Sequence, residues 1–233
     1  MRVLDESGIS QNFRLDSSDL TSIPGVINVL NTSPERLKEI VDSIMKPNYS
    51  HEEIYGKYCF LGEHIDVPYE VAFEYAANIH SLPEWTLSLR NLTHLGGGLY
   101  RGTEAIESSN PESPNTEIFI RADSMKGPEH GLVFYPCAWD QGHQLWMRYY
   151  FVFIDSQKTL DKPGTVVLWI NCKHPYYDRS YTNVPSYIQA GRDRTDRQWV
   201  GDLWDAFYPI HLIEITNFKK ILEHRFGARS SMP

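Results

Sequence analysis

Apolar residues along this chain fall into two rhythms. Leu37, Ile40, Val41, Ile44 and Met45 recur at helical spacing, with Thr32 or Ser33 as cap, Pro34 in the first turn and Pro47 as the stop. The first 32 residues before that helix are polar and read as an irregular arm wrapped on the rest. A strand over 55–67 follows and Pro68 closes it. A helix runs from Tyr69 to about Asn78 on the stripe Val71, Ala72, Tyr75 and Ala76, and Leu82-Pro83-Glu84-Trp85 interrupts it. Strand-like runs at 86–95, 99–106, 116–125, 131–139, 144–155 and 164–173 then alternate with turn signals. Gly96-Gly97-Gly98 and 161–164 mark tight hairpins, and 108–115 and 127–131 mark loops. A Tyr-, Asp- and Asn-rich loop at 174–192 leads to one long helix over 193–226, which Pro209 is expected to kink.

Consecutive strands joined by short turns predict an antiparallel meander, and about seven strands curl. The long C-terminal helix is apolar enough to cover the concave face and leave a cavity. The expected class is therefore α+β. The chain divides into an N-terminal arm with a short helix, 1–54, and a main domain, 55–233.

The residues that carry a family likeness are local. Ile65-Asp66-Val67-Pro68-Tyr69-Glu70-Val71-Ala72-Phe73-Glu74-Tyr75 resembles the first strand of the START-like (SRPBCC) superfamily running through a proline into its first helix. Leu82-Pro83-Glu84-Trp85 resembles the segment after that helix, Gly97 to Gly102 the second hairpin, and His211 to Glu223 the C-terminal helix. The resemblance spans roughly 55–227 and implies a helix-grip fold, a curved antiparallel sheet wrapped on a long helix around a cavity. The superfamily includes polyketide cyclases, Bet v 1-like proteins and lipid-transfer domains. It has no universal catalytic motif, so it assigns no catalytic residue here.

Composition bounds the function. The chain has 233 residues, which allows one large domain or a medium domain with an extension. Aromatics reach 13%, enough for a large core or for a cavity lined for an apolar ligand. The net charge of −8, without a basic block, argues against nucleic acid and against an anionic membrane surface. Cys59, Cys137 and Cys172 are odd in number and far apart, which predicts neither disulfides nor a zinc knuckle. The N-terminus lacks a secretory apolar region and no run reaches the ~18 residues of a membrane span, so a cytoplasmic location is expected.

The long helix is the most informative element. Leu203, Phe207, His211, Glu214, Phe218 and Leu222 share one face, apolar at its ends and ionisable in its middle. In the resembled fold this face looks into the cavity. His211 then reads as a general acid/base with Glu214 fixing its tautomer, or the two form a rim or backbone-satisfied pair. The inward residues of the last strand are expected to approach His211. On its alternation Cys172 and His174 share a face with Val166, Leu168 and Ile170, while Trp169 and Asn171 take the other. His174 is a second acid/base or ligand donor, or a strand-end histidine bonded in a turn.

Arg148, in the middle of an apolar strand, requires a carboxylate or a substrate oxygen, unless it snorkels outward beside Trp146 and Tyr150. Glu63 is an inward acid/base candidate or a salt-bridge partner of Arg148 or Arg101, and Arg121 with Asp123 reads as an outer charged ladder. His94, His143 and His174 could join the helix pair as metal ligands by type only, so no metal and no cofactor are expected. The expected catalytic set is His211, Glu214, His174 and Arg148, with Asn171, Tyr149, Trp85 and Phe207 contacting substrate. The resemblance then implies a polyketide cyclase- or dehydratase-like tailoring enzyme acting on a hydrophobic small molecule. The rival readings are a carrier or sensor of such a ligand and an interaction module, with a homodimer left open.

Overall fold

The computed structural model describes residues 17–28, 31–33, 35–37, 39–40, 58–87, 89–104, 117–138, 147–173 and 207–227. Among them eight strands form one antiparallel sheet. Strand β1 (Tyr58–Ile65) leads into α1 (Tyr69–Ala77), a 3-10 turn at Ile79–Ser81 and the short α2 (Leu82–Trp85). Strands β2 (Leu89–Gly96), β3 (Leu99–Glu104), β4 (Glu117–Ile120), β5 (Asp123–Lys126), β6 (His130–Ala138) and β7 (Met147–Asp155) follow. The short α3 (Ser156–Leu160) separates β7 from β8 (Thr165–Lys173), and α4 (Phe207–Phe226) ends the described chain. The sheet order is β1-β8-β7-β6-β4-β3-β2, with β5 beside β6.

The strand expected at 116–125 is two strands, and the cause lies on its neighbour. Ile120 opposes Cys137 and Asp123 opposes Phe134, so β4 and β5 keep one register along β6. Between them Arg121 donates its N–H to the Pro136 carbonyl at 3.1 Å. Pro136 has no N–H to return the bond, so the ladder breaks there.

Strand alternation sets the two faces of the sheet. Val133, Tyr135 and Cys137 of β6, Phe151 and Phe153 of β7, and Val167, Trp169 and Asn171 of β8 are buried. Their neighbours Val152, Ile154, Val166, Leu168 and Ile170 are half-buried on the other face. The inner face packs on Ile215, Phe218, Ile221 and Leu222 of α4 and on Ala72, Phe73, Tyr75 and Ala76 of α1. Trp85 sits in this core with its ring 5.2 Å from Phe151, 5.5 Å from Phe218 and 5.5 Å from Trp169. Full burial of an apolar side chain of this size contributes about 1.5–3 kcal/mol, before ordering entropy is counted.

Pro209 is the third described residue of α4 (Phe207–Phe226), and the kink expected there concerns its junction with the segment before it. The earlier part of the expected helix, 193–206, lies outside the described residues.

The polar arm is tied to α4. Leu20, Ile23 and Val26 enter the main core. Asn217 accepts from the Ile27 N–H at 2.9 Å and donates to the Trp85 carbonyl at 3.1 Å. Arg225 bonds Asp19 through Nε at 2.7 Å and Nη2 at 2.6 Å, and bonds Glu84 through Nη1 at 2.7 Å. Tyr75 donates its hydroxyl to the same Glu84 carboxylate at 2.7 Å. A buried carboxylate is thereby paired and hydrogen-bonded, the condition under which it can be tolerated.

Candidate functional site

His211 and Glu214 lie one turn apart in the first half of α4, on the side that meets the end of β8. The spacing of three residues places them side by side on one helix face. His211 Nδ1 stands 2.6 Å from Glu214 Oε2, and the Leu87 N–H donates to Glu214 Oε1 at 3.1 Å. Both carboxylate oxygens thus have donors. On the opposite edge of the imidazole, the Asn171 amide Nδ2 lies 3.1 Å from His211 Nε2. With Nδ2 as donor, Nε2 carries the lone pair and Nδ1 carries the hydrogen that meets Glu214. The result is a chain of carboxylate, imidazole and amide that joins α4 to β8.

Aromatic rings surround this chain. Trp169 meets the His211 ring edge-on at 5.3 Å and Tyr149 does so at 5.6 Å. Tyr149 stacks on Trp169 at 5.3 Å and 22°, which follows from their places on neighbouring strands. His211 and Glu214 are each 4% exposed and Asn171 is fully buried. An unpaired polar group at such depth costs about 1–3 kcal/mol, and a charge more. Glu214 meets that requirement. Two atoms beside it do not: Trp169 Nε1 and Asn171 Oδ1 are buried without a hydrogen-bond partner.

The structure brings four of the residues singled out from sequence into one cluster: His211, Glu214, Asn171 and Tyr149. Trp85 packs behind Trp169 rather than against the imidazole. His174 lies outside the described residues, as do the side chains of Arg148 and Phe207. Position 148 opposes position 172 of β8 in the backbone register. Among the described residues Glu63 pairs with Lys219 of α4 at 2.9 Å, and Arg101 pairs with Glu117 at 3.5 Å. His94 packs its ring on Tyr100 at 4.8 Å, and His143 lies outside the described residues.

The Trp169 indole and the Leu87 N–H escaped the sequence reading. Trp169 shares a strand face with Asn171, which was the available signal, but an indole inside an apolar run reads as core. Leu87 contributes only backbone, which no side-chain pattern reveals. Among the described residues there is no group of three or more His, Cys, Asp or Glu that could hold a metal ion. No described helix is long and apolar enough to cross a membrane.

No family model matches the chain, and no curated protein matches it. Solved structures do. A protein of unknown function from Staphylococcus aureus is similar at 13% identity and a TM-score of 0.40, covering 71% of this chain and 95% of its own. A conserved protein from Geobacillus kaustophilus is similar at 8% identity and a TM-score of 0.41, covering 72% and 97%. A STAR-related lipid transfer protein from Xanthomonas axonopodis is similar at 7% identity and a TM-score of 0.39, covering 70% and 83%.

Proposed function

We propose that this chain is a START-like protein that holds an apolar small molecule against its inner sheet face and acts on it by acid/base chemistry. The reaction type is that of a cyclase or dehydratase of natural-product biosynthesis, without a cofactor. In this reading 55–233 is the ligand-binding domain and 1–54 the arm that braces it.

One observation carries the reading: a buried His–Glu pair with an amide on the far imidazole nitrogen, set among aromatic rings. Leucine and phenylalanine would fill the same space without desolvating three polar side chains. Glu214 supplies a fixed tautomer and a partner for the imidazolium. When the Asn171 amide turns off Nε2, the imidazole takes a proton from carbon next to a substrate carbonyl. The C–H electron pair moves into the enolate. In dehydration the enolate then expels a β-hydroxyl, which leaves as water with the proton returned from His211. In cyclisation the enolate carbon attacks a second carbonyl, and His211 protonates the new alkoxide.

The test is the rate at which wild type, His211→Ala and Glu214→Gln convert a metabolite recovered from the His211→Ala protein. A loss of about 100-fold or more in the histidine variant supports general acid/base catalysis. Unchanged turnover in both variants overturns the assignment.

A carrier is the second reading, and one contact favours it: Nε2 is already engaged by Asn171 at 3.1 Å. A carrier returns its ligand chemically unchanged however long the two are incubated.

A further inference from the structure

Trp169 and Asn171 are two residues apart on β8, so their side chains leave the same face of the sheet with Cα atoms about 6–7 Å apart. Trp169 is 3% exposed and Asn171 0%, and each carries one polar atom without a hydrogen-bond partner. The two atoms are of opposite kind. Trp169 Nε1–H can only donate. Asn171 Oδ1 can only accept, because its Nδ2 end is on His211. Beyond His211, the Glu214 carboxylate has both oxygens already taken by His211 and Leu87.

From this complement we infer the polar signature of the ligand: an uncharged apolar molecule bearing a hydroxyl group, as a phenol, enol or alcohol, read by Trp169 Nε1–H and Asn171 Oδ1. The inference rests on the reading that this site binds a small molecule, and deepens it by naming the ligand class. A hydroxyl is the smallest group that accepts from an indole and donates to an amide oxygen. A carboxylate accepts but cannot donate, and it adds a second negative charge beside Glu214. An ammonium donates but cannot accept. A pure hydrocarbon leaves both atoms unsatisfied. Trp169 and Asn171 are thus selectivity residues, and on ligand binding, before the amide turns away for proton transfer, His211 positions it by holding its Nδ2 end.

Three probes of one shape test this at neutral pH: 2-naphthol, 2-methylnaphthalene and 2-naphthoate, titrated into the full chain and followed by tryptophan fluorescence. The wild-type protein is expected to bind 2-naphthol at least about tenfold more tightly than either of the others. That ratio should fall to about one in Trp169→Phe and in Asn171→Leu, with melting curves confirming that each variant is folded. The Trp169 indole N–H resonance, assigned by its loss in Trp169→Phe, should also move downfield on adding 2-naphthol to wild type. Equal affinity for the three probes, preference for the carboxylate, an unmoved resonance, or no 2-naphthol binding below about 1 mM overturns the inference. The wild-type comparison stands even if a variant does not fold. A lost hydroxyl preference alongside His211-dependent turnover removes only this inference. A clear preference without turnover removes only the catalytic part of the proposed function.

Discussion

His211 and Glu214 meet at 2.6 Å inside an aromatic shell, and the Leu87 backbone N–H fixes the second carboxylate oxygen. The helix therefore presents the imidazole to β8 in one tautomer. Glu214→Gln keeps an oxygen for Leu87 but turns an amide donor toward Nδ1. The imidazole hydrogen should move to Nε2 and the Asn171 amide should flip to accept it. The ¹⁵N shifts of the His211 ring report this directly. The wild type is expected to show a protonated Nδ1, and Glu214→Gln a protonated Nε2. Identical ring shifts in both proteins would detach Glu214 from tautomer control.

Arg225 bridges Asp19 in the arm and Glu84 at the start of the sheet region. The Glu84 side chain is 1% exposed, so Arg225→Leu leaves a buried carboxylate without its cation. Removing one partner of such a pair costs about 3–5 kcal/mol, which lowers the melting temperature by roughly 10 °C in a chain of this size. Calorimetry of the variant checks it. A melting temperature within about 2 °C of wild type would mean that the cluster does not hold the arm.

The same bridge makes stability acid-sensitive. The hydrogen bonds from Arg225 hold the Asp19 carboxyl below its ordinary value of 3.8. A depressed folded-state value gives stability that is fully present above 3.8 and is lost as the pH falls through the lower folded value. Asp19→Asn should therefore be less stable than wild type at pH 6, and the gap should close as acid protonates Asp19 in both states. Urea melts from pH 6 down to about pH 2.5 read the difference. A gap that is constant across that range would refute the linkage.

At the alkaline end the sign reverses. Burial, reinforced by the neighbouring Glu84 carboxylate, pushes the Tyr75 hydroxyl well above its ordinary 10.0, and burial pushes Tyr135 up as well. The folded state holds these protons more tightly than the unfolded chain does. Their contribution is complete below 10.0 and is lost as the pH rises above it. Tyr75→Phe should lose stability less steeply than wild type above pH 10, and the two phenols should ionise only on unfolding. Absorbance of tyrosinate followed beside circular dichroism measures both. Ionisation of every tyrosine before unfolding would contradict the burial argument.

Legibility from sequence tracks the distance over which each signal acts. The strand-like runs at 144–155 and 164–173 and the turn signals between them are local, and the helical repeat from His211 through Phe218 to Leu222 is local too. These patterns predicted the antiparallel sheet and the long helix, and they placed His211 beside Glu214. The break between β4 and β5 was hidden because its cause, Pro136, sits on another strand. The Arg225–Glu84 pair joins residues 141 apart, and nothing near either residue signals the other. Trp169 was hidden for a chemical reason: one unsatisfied N–H does not change the apolar character of its strand.

The central claim is that this cluster does chemistry on an apolar molecule, and native mass spectrometry of freshly purified wild type and His211→Ala tests it most directly. The account predicts a hydroxyl-bearing apolar metabolite on the variant that persists unchanged, and that added wild-type protein converts it to a product of different mass or retention. The same molecule carried by both proteins, intact after prolonged incubation with wild type, would contradict catalysis and leave a carrier.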